Sequence, residues 1–208
     1  IAVYNNWKYE FVETCYADCK KLLDNNSIDV FIAYQKDEDR EKLYEYSNEV
    51  FFTNKSSLVT LPDSHICFND FKNMDGITIA AAIGTRNDER FSEYLKQKGC
   101  NVTIKDDYKT QDEMYKALNS KEVDAFISAS NRGLENCKII STLGETKSFV
   151  IAKKGNREQL DLLDSALSKI NINTPYLRDS LSEKYRTPEA GAFPSFTVDE
   201  AEFIKEKG

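Results

Sequence analysis

One histidine, one tryptophan, two methionines and four prolines are all that these 208 residues hold of those types. The shortage of histidine excludes the most. With His65 alone there is no His-rich metal site, no Ser, His and Asp spacing of a hydrolytic triad stands out, and no paired carboxylates suggest acid–base work. No catalytic residue and no metal ligand is expected, and the chain does not read as an enzyme. Positive charge is also short: 28 Lys and Arg stand against 35 Asp and Glu, for a net charge of -7. Without a basic stripe to meet phosphate backbones, nucleic acid is not an expected partner. No apolar run approaches the roughly 20 residues that span a bilayer, and no signal-peptide pattern opens the sequence. Any address is expected to have been removed or to lie outside these residues. The glycine-rich fingerprints of dinucleotide and nucleoside-triphosphate sites are missing too, so no phosphate cofactor is expected.

Cysteine is sparse and odd in number. Cys15, Cys19, Cys67, Cys100 and Cys137 make no dense framework and leave the redox compartment open. Cys15 and Cys19 stand four apart on one face of a predicted helix. They read first as two small buried thiols, with a redox pair or metal site as the alternative.

The hydrophobic content of 40% and the charged content of 30% are those of an ordinary globular chain that can build sizeable cores. A repeat organises it. Lys21 to Ala33 reads KLLDNNSIDVFIA and Lys116 to Ser128 reads KALNSKEVDAFIS, with Lys, Leu, a polar turn, Ile or Val, Asp and Phe-Ile in the same order without a gap. Each is the end of an amphipathic helix, a turn and a short apolar strand. Upstream, Trp7 to Val12 alternates like a strand before a helix at Thr14 to Leu23. Asn101 to Ile104 does the same before Gln111 to Leu118. Two βαβ-like units imply two α/β lobes or two halves of one sheet.

Ile1 to Asn6 reads as the tail of a helix that began earlier, stopped by Asn5-Asn6. After the strand Ile28 to Tyr34, Asp37 to Asp39 suit the positive end of a helix. Arg40 in that segment reads either as solvated or as pointing back at the carboxyl end of the strand, where open α/β sheets bind ligands. Val50 to Leu61 is rich in β-formers. The apolar run Ile77 to Ile83 meets Gly84-Thr85 and enters a helix that stops at Gly99. This is either a plain turn or an anion seat made by unpaired N–H groups. Phe149 to Lys153 is a further strand, and helices follow at Glu158 to Ile170 and Tyr176 to Tyr185. Thr187 to Ser195 is a linker by composition, and Thr197 to Glu200 is a capping box before a last helix.

From about Trp7 to Tyr185 this order resembles the bacterial extracellular solute-binding proteins of family 3, the bilobed amino-acid-binding type. Ile28-Asp29, Asp37-Glu38-Asp39-Arg40 and Tyr46-Ser47 correspond to the first-lobe signature. Met74-Asp75-Gly76, Ile79 and Gly84-Thr85 correspond to the second. The resemblance implies a type II periplasmic-binding-protein-like α/β fold, with two lobes joined by hinge strands and the first lobe lacking its first strand. Domains are expected at 1–58 for the first lobe and 59–150 for the second lobe with hinge crossings. A return segment with C-terminal helices is expected at 151–186, and a linker with the start of a helix toward a following domain or membrane at 187–208.

The resemblance also implies a small-molecule site. Arg40 would hold a ligand carboxylate, Tyr16 would be an aromatic platform, and Tyr34 and Gln35 would meet the ligand. Gly84, Thr85 and Arg86 would meet the same anion, with Ser128 nearby, and lobe closure would be the mechanism. Two departures bear on the ligand: Asp37 replaces a threonine, and Ser128-Ala129-Ser130 replaces the Asp that pairs a ligand ammonium. The expected role is an extracellular or periplasmic ligand-sensing portion of a membrane-anchored bacterial signalling protein, followed by another sensor domain or a membrane span. The alternatives are the binding component of an amino-acid ABC transporter and a degenerate domain that binds nothing.

Overall fold

The computed structural model describes residues 1–129, 134–185 and 195–207. The chain runs α1 (Ala2–Asn5), α2 (Tyr16–Asp24), β1 (Val30–Gln35), α3 (Glu38–Leu43), β2 (Tyr44–Tyr46), β3 (Phe52–Thr60) and α4 (Phe71–Met74). It continues through β4 (Thr78–Ala82), α5 (Asn87–Gln97), β5 (Thr103–Tyr108), α6 (Gln111–Asn119) and β6 (Ala125–Ser128). Last come β7 (Lys138–Lys153), α7 (Arg157–Asn173), α8 (Leu177–Tyr185) and α9 (Val198–Lys207). Two compact units result, Ile1–Asn54 with Glu145–Arg186 and Lys55–Gly144 with Thr187–Gly208. The expected linker residues 187–194 lie outside the described residues.

In the first unit, β7 takes β1 and β2 as antiparallel partners, with Val30 opposite Ala152 and Tyr46 opposite Ile151. Alternation along β7 sends Ile151 and the partly buried Phe149 into an aromatic core with Phe31, Tyr34, Tyr44 and Tyr46. Val150 and Ala152 face the other way, onto Leu160, Leu163 and Leu167 of α7. The carboxylate of Asp164 on α7 accepts the N–H groups of Asn48 at 2.8 Å and Glu49 at 3.0 Å. Arg157 supplies its countercharge at 3.1 Å.

The second unit is a mixed sheet in which β3 is antiparallel to β6, while β6, β4 and β5 run parallel with β4 in the middle. Leu58, Ile79, Ala81 and Ile127 pack with Phe91 and Leu95 of α5 on one face. Val59, Ala80 and Phe126 pack with Met114, Ala117 and Leu118 of α6 on the other. Period-two alternation therefore feeds two helical layers.

The repeat is a repeat of hydrogen bonds. After α2, Asn26 N–H donates to the Leu23 carbonyl at 3.2 Å and Ser27 N–H to Leu22 at 2.8 Å. After α6, Lys121 donates to Leu118 at 3.1 Å and Glu122 to Ala117 at 2.9 Å. Asn26 and Lys121 occupy the same position, with φ of 61° and 62°. This is the Schellman closure, in which a left-handed residue returns two orphan carbonyls to the chain. Next, Asp124 ties β6 to β4 by accepting the Thr78 N–H at 2.8 Å. Its counterpart Asp29 is exposed.

Two expectations need correction. Trp7 to Val12 forms no strand, and Tyr9 and Phe11 in it are exposed. In the second unit the parallel strand β4 separates β5 from β6, whereas β1 pairs with β7. Among the described residues of the first unit no strand stands where β4 does, so Trp7 to Val12 has no ladder to join. The first repeat is therefore helix, turn and strand, not βαβ. The second correction is the length of the return strand, which begins at Lys138 and not at Phe149.

Lysine in the left-handed region costs on the order of 1 kcal/mol that glycine avoids. Lys121→Gly should therefore raise unfolding free energy by about 0.5–1 kcal/mol, and Asn26→Ala should lower it by a similar amount. Thermal denaturation checks both, and a lower Tm for Lys121→Gly would contradict the shared closure.

Candidate functional site

In the first unit the site grows from a bulge in β1. Phe31 lies opposite Ile151 but Tyr34 lies opposite Phe149, so one residue is extra, and Ala33 sits there at φ 72°. In a regular strand residues three apart face opposite sides. The bulge turns both Phe31 and Tyr34 into one aromatic core, their rings 5.2 Å apart.

Tyr34 then carries Arg40. The guanidinium lies 4.4 Å from the Tyr34 ring centroid and donates to the Gln35 carbonyl at 3.3 Å. Asp37 holds it from the other side. Its carboxylate caps α3 by accepting the Arg40 N–H at 2.9 Å and also pairs with Arg40 Nε at 3.1 Å. Only 11% of the Arg40 side chain is exposed, so this pair is screened far less than a surface ion pair. Tyr16 stacks on Tyr34 at 6.0 Å, edge-on to Phe31, and its hydroxyl accepts a hydrogen bond from Arg40. Burial pushes the Tyr16 phenol strongly up, and the Arg40 charge offsets part of that. Tyr46 donates to the Gln35 carbonyl at 3.1 Å and Tyr44 to Asp24 at 2.8 Å. Tyr16, Tyr34, Gln35 and Arg40 are therefore one contact cluster.

In the second unit, Gly84 turns out of β4 at φ 80°, a conformation that glycine adopts at no steric cost. Thr85 donates its hydroxyl to the Ala82 carbonyl at 2.9 Å. Arg86 stands at the N-cap of α5 and pairs with Glu89 one turn on. Asn87 is buried and accepts a hydrogen bond from Ser56 Oγ at 3.2 Å. Ser128 ends β6, buried, with its hydroxyl donating to Gln111 Oε1 at 3.3 Å. Ser57 lies opposite it on β3.

Since β4 and β6 are parallel, Gly84, Thr85, Arg86 and Ser128 fall at the same carboxyl end, where open α/β sheets bind ligands. The partners of Ser128 and Asn87 are the neutral Gln111 and Ser56, while Arg86 brings a cation paired with Glu89. Ser128-Ala129 offers no carboxylate, and Ser130 lies outside the described residues. Sequence reasoning missed Ser56, Ser57, Asn87 and Gln111. The Ser-Ser pair inside the β-forming run Val50 to Leu61 was the available signal.

Among the described residues no group of three His, Cys, Asp or Glu side chains could hold a metal ion. No described helix is long and apolar enough to cross a membrane.

A model of the bacterial extracellular solute-binding proteins, family 3, matches residues 1–187. No curated protein matches the chain. Among solved structures, holo ArgBP from T. maritima superposes with a TM-score of 0.66 at 23% identity, covering 86% of this chain and 78% of that one. An ancestral arginine-binding protein bound to arginine gives 0.71 at 22%, covering 89% and 84%. A putative L-cystine ABC transporter protein from Listeria monocytogenes gives 0.71 at 17%, covering 88% and 80%. The fold is that of the bilobed periplasmic binding proteins, as the motifs led one to expect.

Asp37 both caps α3 and pairs with Arg40, so the two roles separate by substitution. Asp37→Asn keeps the cap and should cost about 1 kcal/mol, while Asp37→Ala loses both and should cost roughly 2–3 kcal/mol. Urea unfolding measures both: equal effects would show that the cap contributes nothing, and an unchanged Asp37→Asn would show that the ion pair contributes nothing.

Proposed function

The chain belongs to the bacterial extracellular solute-binding proteins, family 3, and we propose that it binds a small carboxylate-bearing, amino-acid-like metabolite as the ligand-sensing portion of a transmembrane signalling protein. One observation carries the binding reading. The repeat gives the two candidate clusters equivalent strand ends, Tyr34 to Arg40 at the end of β1 and beyond it, and Ser128 at the end of β6, aligned with Ala33. Arg40 is the cation suited to a carboxylate, because its planar fork matches two carboxylate oxygens. Asp37 competes for the same guanidinium, so the ligand acid must displace or share that partner.

The sensing role rests on the chain beyond the family match. There Thr197 and Glu200 form their capping hydrogen bonds and start α9, on which Phe203 and Ile204 are exposed. A helix following the binding fold suits transmission to a neighbouring domain better than free diffusion. Membrane anchoring is part of the same proposal.

A thermal-shift screen of amino acids, hydroxy acids and dicarboxylates tests the binding reading. A ligand at a hundred times its Kd should add about 2.7 kcal/mol, or several degrees of Tm. Arg40→Ala should remove a hit by weakening binding about 10- to 100-fold, since a hydrogen-bonded charge contact contributes on the order of 1.5–3 kcal/mol. Asp37→Asn should tighten it. A hit indifferent to Arg40→Ala would overturn the assigned site, and no hit across the panel would favour a domain that binds nothing. Immunoblotting of native membranes with an antibody to this domain separates sensing from transport. A membrane band far larger than these 208 residues supports the sensor, and one of about that size supports the transporter component.

A further inference from the structure

Trp7 to Val12 alternates like a strand yet has no ladder within the first unit. Among the described residues, none bonds to a backbone N–H or carbonyl of residues 8–12. The segment is nevertheless fixed at one end. The Trp7 N–H donates to the Ala2 carbonyl at 3.0 Å, and its side chain packs against the core of Val150, Ala152 and Leu160. Beyond it Tyr9 is 68% and Phe11 79% exposed, their rings 5.2 Å apart. Side chains two residues apart share one face of an extended chain. An aromatic face and an open backbone edge therefore stand side by side in solvent, and such an edge is a template for a further strand.

The charges of the segment select the strand that fits, which is the segment itself running antiparallel. With a two-fold axis at Tyr9, Lys8 stands opposite the partner's Glu10 and Glu10 opposite the partner's Lys8. On the other face Trp7 stands opposite the partner's Phe11, and the two Tyr9 rings meet at the centre. An axis at Lys8 or at Glu10 would set like charges against each other, and an axis between residues would mix apolar with charged side chains. The Trp7 N–H is already taken by Ala2. The free edge is therefore that of Lys8 and Glu10, whose N–H and carbonyl groups can exchange with those of the partner's Glu10 and Lys8.

We infer that Trp7 to Val12 is a dimerisation strand, which forms an antiparallel two-stranded ribbon with the same segment of a second copy of this chain. The contact is isologous and closes at two. Each copy covers the exposed Tyr9 and Phe11 of the other and pairs its open edge. Asn6, in the left-handed region at φ 52°, ends the ribbon on one side. The contact is short, which makes the dimer a weak and concentration-dependent one.

The test is analytical ultracentrifugation of the folded 208-residue chain across a concentration series. The expected result is a monomer–dimer equilibrium that weakens with added salt, because both charge pairs are formed by exposed residues. Lys8→Glu or Glu10→Lys alone turns both attractions into repulsions and should weaken the dimer about 10- to 100-fold. The double reversal, Lys8→Glu with Glu10→Lys, sets opposite charges against each other again and should return the dimer to within about threefold of the original. Both side chains are exposed, so the variants keep the fold. A monomer at every concentration, an open series of larger assemblies, a dimer indifferent to the single changes, or a double reversal that stays monomeric would each overturn the proposal. None of these outcomes depends on whether a carboxylate ligand binds.

Discussion

A strand can return beneath its own helix only if the helix end is closed and its last carbonyls are satisfied. Asn26 and Lys121 do this with the same left-handed backbone and the same bonds back into α2 and α6. Everything downstream depends on that turn. It brings Leu23 and Leu118 into the cores and aims β1 and β6 so that their carboxyl ends carry the candidate site residues. Left-handed asparagine is cheap and left-handed lysine is not, so retention of the geometry at Lys121 shows that tertiary packing, not local preference, holds the second copy.

The charge arrangement at the end of β1 follows from the bulge at Ala33. With Phe31 and Tyr34 on one side, a continuous aromatic wall forms along which Arg40 can lie, shielded from solvent and paired by Asp37. A buried guanidinium without a partner would be costly. Asp37 removes that cost in the absence of ligand, and the same contact makes an incoming carboxylate a competitor. β6 ends at the neutral Ser128 where β1 leads into Arg40 and Asp37, so the two strand ends differ in chemistry although both belong to one repeat.

Much of this was legible in the residues. The repeat was visible because the turn and the Asp-x-Phe-Ile core demand the same side chains twice, and the entry through Gly84-Thr85 because glycine marks a left-handed turn. Alternation at Trp7 to Val12 suggested a strand, but a ladder needs a neighbour and periodicity cannot report one. The early part of β7 was missed for the converse reason. Gly144, Glu145 and Lys147 weaken the local pattern, yet the strand persists from Lys138 because the sheet supplies its hydrogen bonds. Arg40 was picked out by position, while its stacking on Tyr34 depended on an extra residue in β1 that composition does not reveal.

Amide chemical shifts recorded while a small carboxylate is titrated into the isotope-labelled protein test the central claim most directly. The largest changes are expected at residues 34–40, with saturation at one equivalent. Changes confined to other residues, or none with any carboxylate, would contradict it.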